Sequence, residues 1–246
     1  MKILLADVET SPNEVFTWGI WQQNISINHM IESSSILCWS AKWRGEKEVY
    51  FDSEHKSSKK KMLKGIHKML CEADAIVTYN GKNFDTPVLN REFLIHGMLP
   101  PSPHKHIDLL QVARAQFRFQ SNKLEYVARE LGVGSKVKHE GFQLWVSCMH
   151  GDADAWVKME KYNKGDVTLL EKVYDRLLPW IPNHPNHALY SNETRPQCSN
   201  CGGTEVQIRG DAKTKTLTYP RFVCKSCGTW LRGVESDKRK PKLVQI

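Results

Sequence analysis

No run of this 246-residue sequence is long and apolar enough to cross a bilayer, and the mean hydropathy of −0.49 is that of a water-soluble chain. The apolar start at residues 2–6 is broken at once by Asp7 and Glu9, which denies it the length and flanks of a signal peptide. A cytoplasmic protein is expected. Cysteine is too unevenly spread for a disulfide framework: of seven, Cys38, Cys71 and Cys148 stand singly in apolar or helical surroundings. Internal repeats are lacking, which excludes solenoids and propellers. Acidic residues are in deficit, 27 against 35 Lys and Arg, for a formal charge of +8 and a pI near 9.1. Such a surface favours polyanions such as nucleic acid, although solvated lysines alone give the same balance.

What is present starts with strands. Residues 2–6 read as a buried strand, and residues 35–43 and 48–51 as two more about the turn at Gly45, which together suggest a meander. Residues 59–73 carry Met62, Leu63, Ile66, Met69 and Leu70 at helical spacing, and residues 75–79 return to strand character, as a crossover helix into a parallel strand does. Thr86-Pro87 reads as an N-cap and first helical position, with the helix stopping at Gly97. Residues 106–110 read as a last strand, and residues 123–131 and 155–178 as amphipathic helices. The fold class is therefore α/β, a mixed sheet with helices around it. Breakers in residues 183–196 make a linker, dividing a domain at 1–182 from a small module at 197–234 and a basic tail at 235–246.

Asp7-Val8-Glu9 sets two carboxylates two apart at the end of a strand, and the strand period turns both to one face. Like charges so held call for a cation. Asn80 to Asp85 follows a strand and precedes a helix, where α/β proteins collect functional groups, and Asp85 reads either as a helix cap or as a ligand. Tyr162 and Asp166, four apart in a helical pattern, project from one face. Asp108 also ends a strand-like segment and is read as a helix cap or a group behind the site, outside the ligand set. In residues 135–139, Lys136, Lys138 and His139 either meet phosphates or are solvated.

In this order, strand-borne Asp-x-Glu, Asn-x-x-x-Phe-Asp and helical Tyr-x-x-x-Asp, residues 1–180 resemble the DEDD 3′→5′ exonucleases. The nearer resemblance is to the tyrosine-bearing branch, which includes proofreading domains of B-family DNA polymerases and small free-standing exonucleases, several of them phage-encoded. No polymerase domain follows, which departs from the polymerase members. The resemblance implies a ribonuclease H-like fold, with Asp7, Glu9, Asp85 and Asp166 holding two Mg²⁺ or Mn²⁺ ions for two-metal hydrolysis. It also implies Tyr162 as the group that orients the attacking water, and Asn80 and Phe84 as contacts to the terminal nucleotide, Phe84 reading equally as core. The implied substrate is nucleic acid with a free 3′ end, DNA favoured, and for a phage-encoded member the location is the host cytoplasm. Other readings are a non-catalytic nucleic-acid-binding or scaffold protein, and an endonuclease on hybrids or branched DNA.

Cys198, Cys201, Cys224 and Cys227 form two CxxC pairs, each followed by glycine, the pattern of two knuckles closing a tetrahedral Cys₄ site. One structural Zn²⁺ in a zinc ribbon is expected, with residues 205–208 and 219–223 as its strands. Arg209, Lys213, Lys215, Arg221, Lys225 and Arg232, with Tyr219 and Trp230, suit unpaired nucleic acid; docking of replication or recombination proteins is the competing reading.

Overall fold

The computed structural model describes residues 1–237; most of the expected basic tail, from Lys238 on, lies outside the described residues. In chain order the elements are β1 (Ile3–Thr10), β2 (Glu14–Val15), β3 (Met30–Glu32), β4 (Ile36–Trp43), β5 (Tyr50–Ser53), α1 (Lys59–Glu72), β6 (Ala75–Thr78), α2 (Asp85–Ile95) and β7 (Lys105–Asp108). There follow α3 (Leu109–Gln116), α4 (Leu124–Glu130), α5 (Phe142–Met149), α6 (Ala153–Leu177), β8 (Val206–Lys213), β9 (Thr218–Cys224) and β10 (Trp230–Arg232). Two compact units divide this chain, one covering Lys2–Val173 and the other running from Tyr174 onward. Among the described residues no helix is long and apolar enough to cross a membrane.

The larger unit is built on a five-stranded mixed sheet in the order β5-β4-β1-β6-β7. Strands β1, β4 and β5 form the antiparallel meander, while β6 and β7 run parallel to β1. Register decides what each face carries. Val8 pairs with Trp39 and Ala6 with Ala41, and this face packs on Met62, Leu63 and Ile66 of α1 and Leu89 and Phe93 of α2. Leu5 pairs with Lys42, Asp7 with Ser40 and Glu9 with Cys38, so Asp7 and Glu9 share the opposite face. Helix α6 lies on that face: Lys42 makes an ion pair with Glu171, and Tyr162, Met159 and Trp156 pack with Leu37 and Cys38.

The meander, the crossover helix and the long C-terminal helix fall within a few residues of the sequence reading. Strands β2, β3 and β10 and helices α3 and α5 were not read, because each is at most eight residues long and too short to display its period. Helix α2 begins at Asp85, one residue before the expected cap at Thr86: Phe84 occupies the N-cap position, and the Thr86 amide is held by the Gly81 carbonyl at 2.8 Å.

The second unit contains the three-stranded antiparallel sheet β10-β9-β8. The segment read as a linker carries a 3₁₀ turn at His187–Tyr190, N-capped by the Asn186 side chain. It is tied down by a 2.7 Å hydrogen bond between Tyr174 and His184, and Asn200 donates to the Leu178 carbonyl at 3.0 Å.

Gly65 in mid-helix α1 has a steric reason. A Cβ there would lie 2.9 Å from the Trp39 ring, which is fixed by its indole N–H donating to the Met62 carbonyl at 2.9 Å. Gly65→Ala is expected to destabilise the fold by about 1–3 kcal/mol through overpacking, outweighing the about 1 kcal/mol that alanine gains in helix propensity. Urea unfolding measures the balance; a more stable variant would mean that Trp39 does not pack there.

Candidate active site

Three segments converge at the carboxyl ends of the parallel strands, where open α/β sheets bind ligands. Strand β1 brings Asp7 and Glu9, the β6–α2 connection brings Asn80 to Phe84, and β7 ends in Asp108. Asp108 organises the loop beside it: its carboxylate accepts from the amides of Asn80 at 2.9 Å, Lys82 at 3.2 Å and Leu110 at 3.0 Å, the last capping α3. Both of its readings hold: it caps α3 and stands behind the site as the brace of the Asn80 loop. With this support Asn80 holds a φ of +72°, in the left-handed region that asparagine tolerates better than most residues. Gly81 is required by space, since a Cβ would collide with the Thr78 side chain.

Carboxylate oxygens of Asp7, Glu9 and Asp166 lie within 4.8 Å of one another. Asp85 stands outside that group; from the first turn of α2 its Oδ1 accepts from the Val8 amide at 3.1 Å, so it braces β1. Asp7 Oδ2 accepts from the Asn163 side-chain amide at 2.7 Å. Lys136 reaches Asp166 Oδ2 at 2.6 Å and the Tyr162 hydroxyl at 3.1 Å. That approach depends on Gly165, where a Cβ would meet Val137 at 2.8 Å. Tyr162 is buried, its ring against His139 and Trp145.

Burial first, then the neighbouring carboxylates, raise Asp7 well above the ordinary range and push Glu9 up to about 8. Asp85 is pushed up to about 7 by burial, against the opposing pull of backbone hydrogen bonds. Asp166 is raised by burial in spite of Lys136. Burial works against the Lys136 ammonium, but the charges of Asp166, Asp7 and Glu9 hold it above its usual value. The Tyr162 phenol is raised by burial and then by Glu9 and Asp166, which leaves it a hydrogen-bonding group and not a base.

This donor set fits a divalent cation. Asp166 Oδ1 is buried with no hydrogen-bond partner among the described residues, and an all-oxygen carboxylate cluster matches hard ions such as Mg²⁺ and Mn²⁺. The adjoining cleft, about 620 Å³, is lined by Asp7, Asn80 and Tyr162 and by the cations Arg114, Lys123 and Lys136. Phe84, 42% exposed, lies outside that lining.

Asn163, Trp145 and Arg114 were not singled out from sequence. Asn163 had a signal in its position three residues before Asp166 on one helix, which gives both the same face. Trp145 and Arg114 sit on α5 and α3, the helices that pattern did not reveal.

The second unit holds the other cluster. Cys198 and Cys227 sulfurs are 3.6 Å apart, as are those of Cys201 and Cys224, and all four lie within 4.8 Å of one another as free thiols. Tetrahedral zinc with bonds of about 2.3 Å sets sulfurs about 3.8 Å apart, so the cluster fits a zinc ribbon. The Cys224 thiol is lowered to about 7: burial opposes ionisation there, and donation from the Cys227 and Ser226 backbone and from neighbouring thiols outweighs it.

A mixed sheet flanked by helices, presenting an acidic cluster at the ends of its parallel strands, defines an α/β protein of ribonuclease H-like architecture. Residues 32–178, more than half of the chain, match the RNase_H superfamily (RNase_H_2), and the chain belongs to that superfamily. No curated protein matches its sequence. Among solved structures, the family B DNA polymerase from the hyperthermophilic archaeon Pyrobaculum calidifontis is similar at a TM-score of 0.55 and 16% identity, over 72% of this chain and 24% of that one. The chain thus spans about a quarter of that polymerase, and the likeness is one of fold.

The raised carboxylates give a pH signature. The folded chain retains protons that the unfolded chain has released, so this cluster favours folding near the unfolded carboxylate pKa of about 4 and loses that contribution as pH rises through about 7 to 8, the folded values of Asp85 and Glu9. Thermal melts without added divalent cation should show stability falling from pH 5 to pH 8, and millimolar Mg²⁺ or Mn²⁺ should flatten the slope. A slope unaffected by the cation would remove the cluster as its origin.

Proposed function

We propose that the chain is a 3′→5′ exonuclease of the DEDD type that hydrolyses phosphodiester bonds at nucleic-acid 3′ ends, DNA favoured, through the domain at residues 1–182. One observation carries the reading: three carboxylates with oxygens mutually within 4.8 Å adjoin, through Asp7, a cleft lined by the cations Arg114, Lys123 and Lys136 against one further acid, Glu125. A polyanion is drawn to Arg114, Lys123 and Lys136, and its scissile phosphate then faces the carboxylates, which repel it unless a cation lies between. Asp7, Glu9, Asp166 and Asp85 would hold two divalent ions, Mg²⁺ or Mn²⁺, which when bound would supply Lewis-acid charge at the phosphate and a more acidic water.

The chain's own groups do the positioning. The Tyr162 hydroxyl, held protonated and fixed by Lys136, orients the water by hydrogen bonding. Asn163 fixes one Asp7 oxygen so that the other points consistently. Asn80, at the cleft wall, meets the terminal nucleotide, with Phe84 packing on its sugar or base. In the segment at 197–234, Cys198, Cys201, Cys224 and Cys227 hold one structural Zn²⁺. The polymerase likeness lends the nuclease reading its fold only.

Single-stranded DNA labelled at the 3′ end should release mononucleotide in Mg²⁺, and 5′-labelled DNA should give a stepwise ladder. Asp7→Ala or Asp166→Ala should lower the rate by about a thousandfold or more, the loss of about 4 kcal/mol of transition-state stabilisation, with the fold retained. Binding without cleavage of any DNA or RNA substrate in Mg²⁺ or Mn²⁺ would favour a non-catalytic binder, and cutting of a circle an endonuclease.

For the second unit, the purified chain should contain about one zinc per molecule. Cys224→Ser should release it and open residues 197–234 to limited proteolysis. Protease resistance equal to the parent's after that change would rule out a metal-dependent module.

A further inference from the structure

The three-stranded sheet of the second unit has one face whose chemistry the catalytic reading does not use. Antiparallel register sets Val223 opposite Trp230 and Gln207, Arg221 opposite Arg232, and Tyr219 opposite Ala212. Residues directly opposite share a face, and Tyr219, Arg221 and Val223 alternate onto that same face. Two arginines and two aromatic rings are thereby interleaved. The Arg232 guanidinium lies 4.3 Å from the Tyr219 ring centre and the Arg221 guanidinium 5.1 Å from that of Trp230. Arg221 is held by its Nε–H, which donates to the Arg209 carbonyl at 3.0 Å across the bulge at Gly210. Trp230 remains 59% exposed, and Arg221 and Arg232 are exposed as well. The single acidic residue of these strands, Asp211, pairs with Pro220 and so sits on the other face.

We infer that this face of the ribbon, formed by Tyr219, Arg221, Trp230 and Arg232, is a binding platform for single-stranded nucleic acid. Phosphates recruit arginine, but an exposed indole adds affinity only where an unpaired base offers its own face. A duplex keeps its bases stacked inside and would leave Trp230 idle. A protein partner could use the same rings and arginines, and it would show in the test as oligo(dT) affinity untouched by Trp230→Ala and Arg232→Glu. The inference deepens the nucleic-acid reading of the chain, yet it stands on this unit's own strand pairing and is tested by binding alone.

The experiment uses the full chain with Asp7→Ala, so that the probe survives whether or not the parent is a nuclease. Fluorescence anisotropy with a labelled 12-nucleotide oligo(dT) and with a hairpin duplex gives the affinities, and metal analysis confirms that zinc is retained. Trp230→Ala should weaken oligo(dT) binding about tenfold while leaving the duplex within about twofold. Arg221→Ala should reduce the slope of log affinity against log salt by about 0.7, a change that Trp230→Ala should not produce. Arg232→Glu, an exposed change, reads the same face if Trp230→Ala releases zinc. Parent-like oligo(dT) affinity in Trp230→Ala and Arg232→Glu, or equal losses for oligo(dT) and duplex, would overturn the platform. Loss of nuclease activity in the parent would not.

Discussion

Asp7, Glu9 and Asp166 are held with their carboxylate oxygens within 4.8 Å of one another, and Asp85, bonded to the Val8 amide, adds its field to that of Asp7. Burial raises the cost of ionising each, and for Asp7 and Glu9 the neighbouring carboxylates raise it further. Lys136 is the counter-charge that the chain supplies itself, one cation against several carboxylates. The remaining deficit is what a divalent ion relieves, and the arrangement makes physical sense as a site whose ligand belongs to its stability.

Much of the larger unit can be traced to keeping that cluster in place. The β1–β4 register turns Asp7 and Glu9 to the face covered by α6, while the even-numbered residues of β1 anchor the strand in the core formed with α1 and α2. Helix α6 contributes Tyr162, Asn163 and Asp166 from one stripe and is itself fastened to the sheet by Lys42–Glu171. Two glycines admit close approaches that a side chain would block: Gly81 lets the Asn80 loop fold over Thr78, and Gly165 lets the Lys136 loop reach the acids. Asp108, acidic and adjacent, serves by fixing the Asn80 backbone.

Legibility in the sequence followed the length of the period. Residues 59–73 and 155–178 display helical spacing over several turns, and both are helices. Asp7-Val8-Glu9 was readable because two-residue alternation needs only three residues to put both acids on one face. The division of labour between Asp85 and Asp108 was not readable. Both follow strands and precede helices, and only the tertiary partner separates them: the Val8 amide from β1 for one, the Asn80 and Lys82 amides for the other. Lys136 lies in a loop whose cations read either as phosphate contacts or as solvated, and its pairing with Asp166 comes with the close approach of Val137 to Gly165, which no local pattern encodes. In the small unit the CxxC spacing announced the sulfur cluster, whereas β10, with Trp230 and Arg232, is too short to announce itself.

The central claim is that these carboxylates are held ready for a divalent ion at the cost of their own ionisation. Calorimetric titration of the intact chain with Mn²⁺ at pH 7, repeated in buffers of different ionisation enthalpy, counts the protons that leave as the ion binds. Glu9 near 8 and Asp85 near 7 require net proton release, and Asp7→Ala should abolish the binding. Binding without proton release, or binding unchanged in Asp7→Ala, would contradict the account.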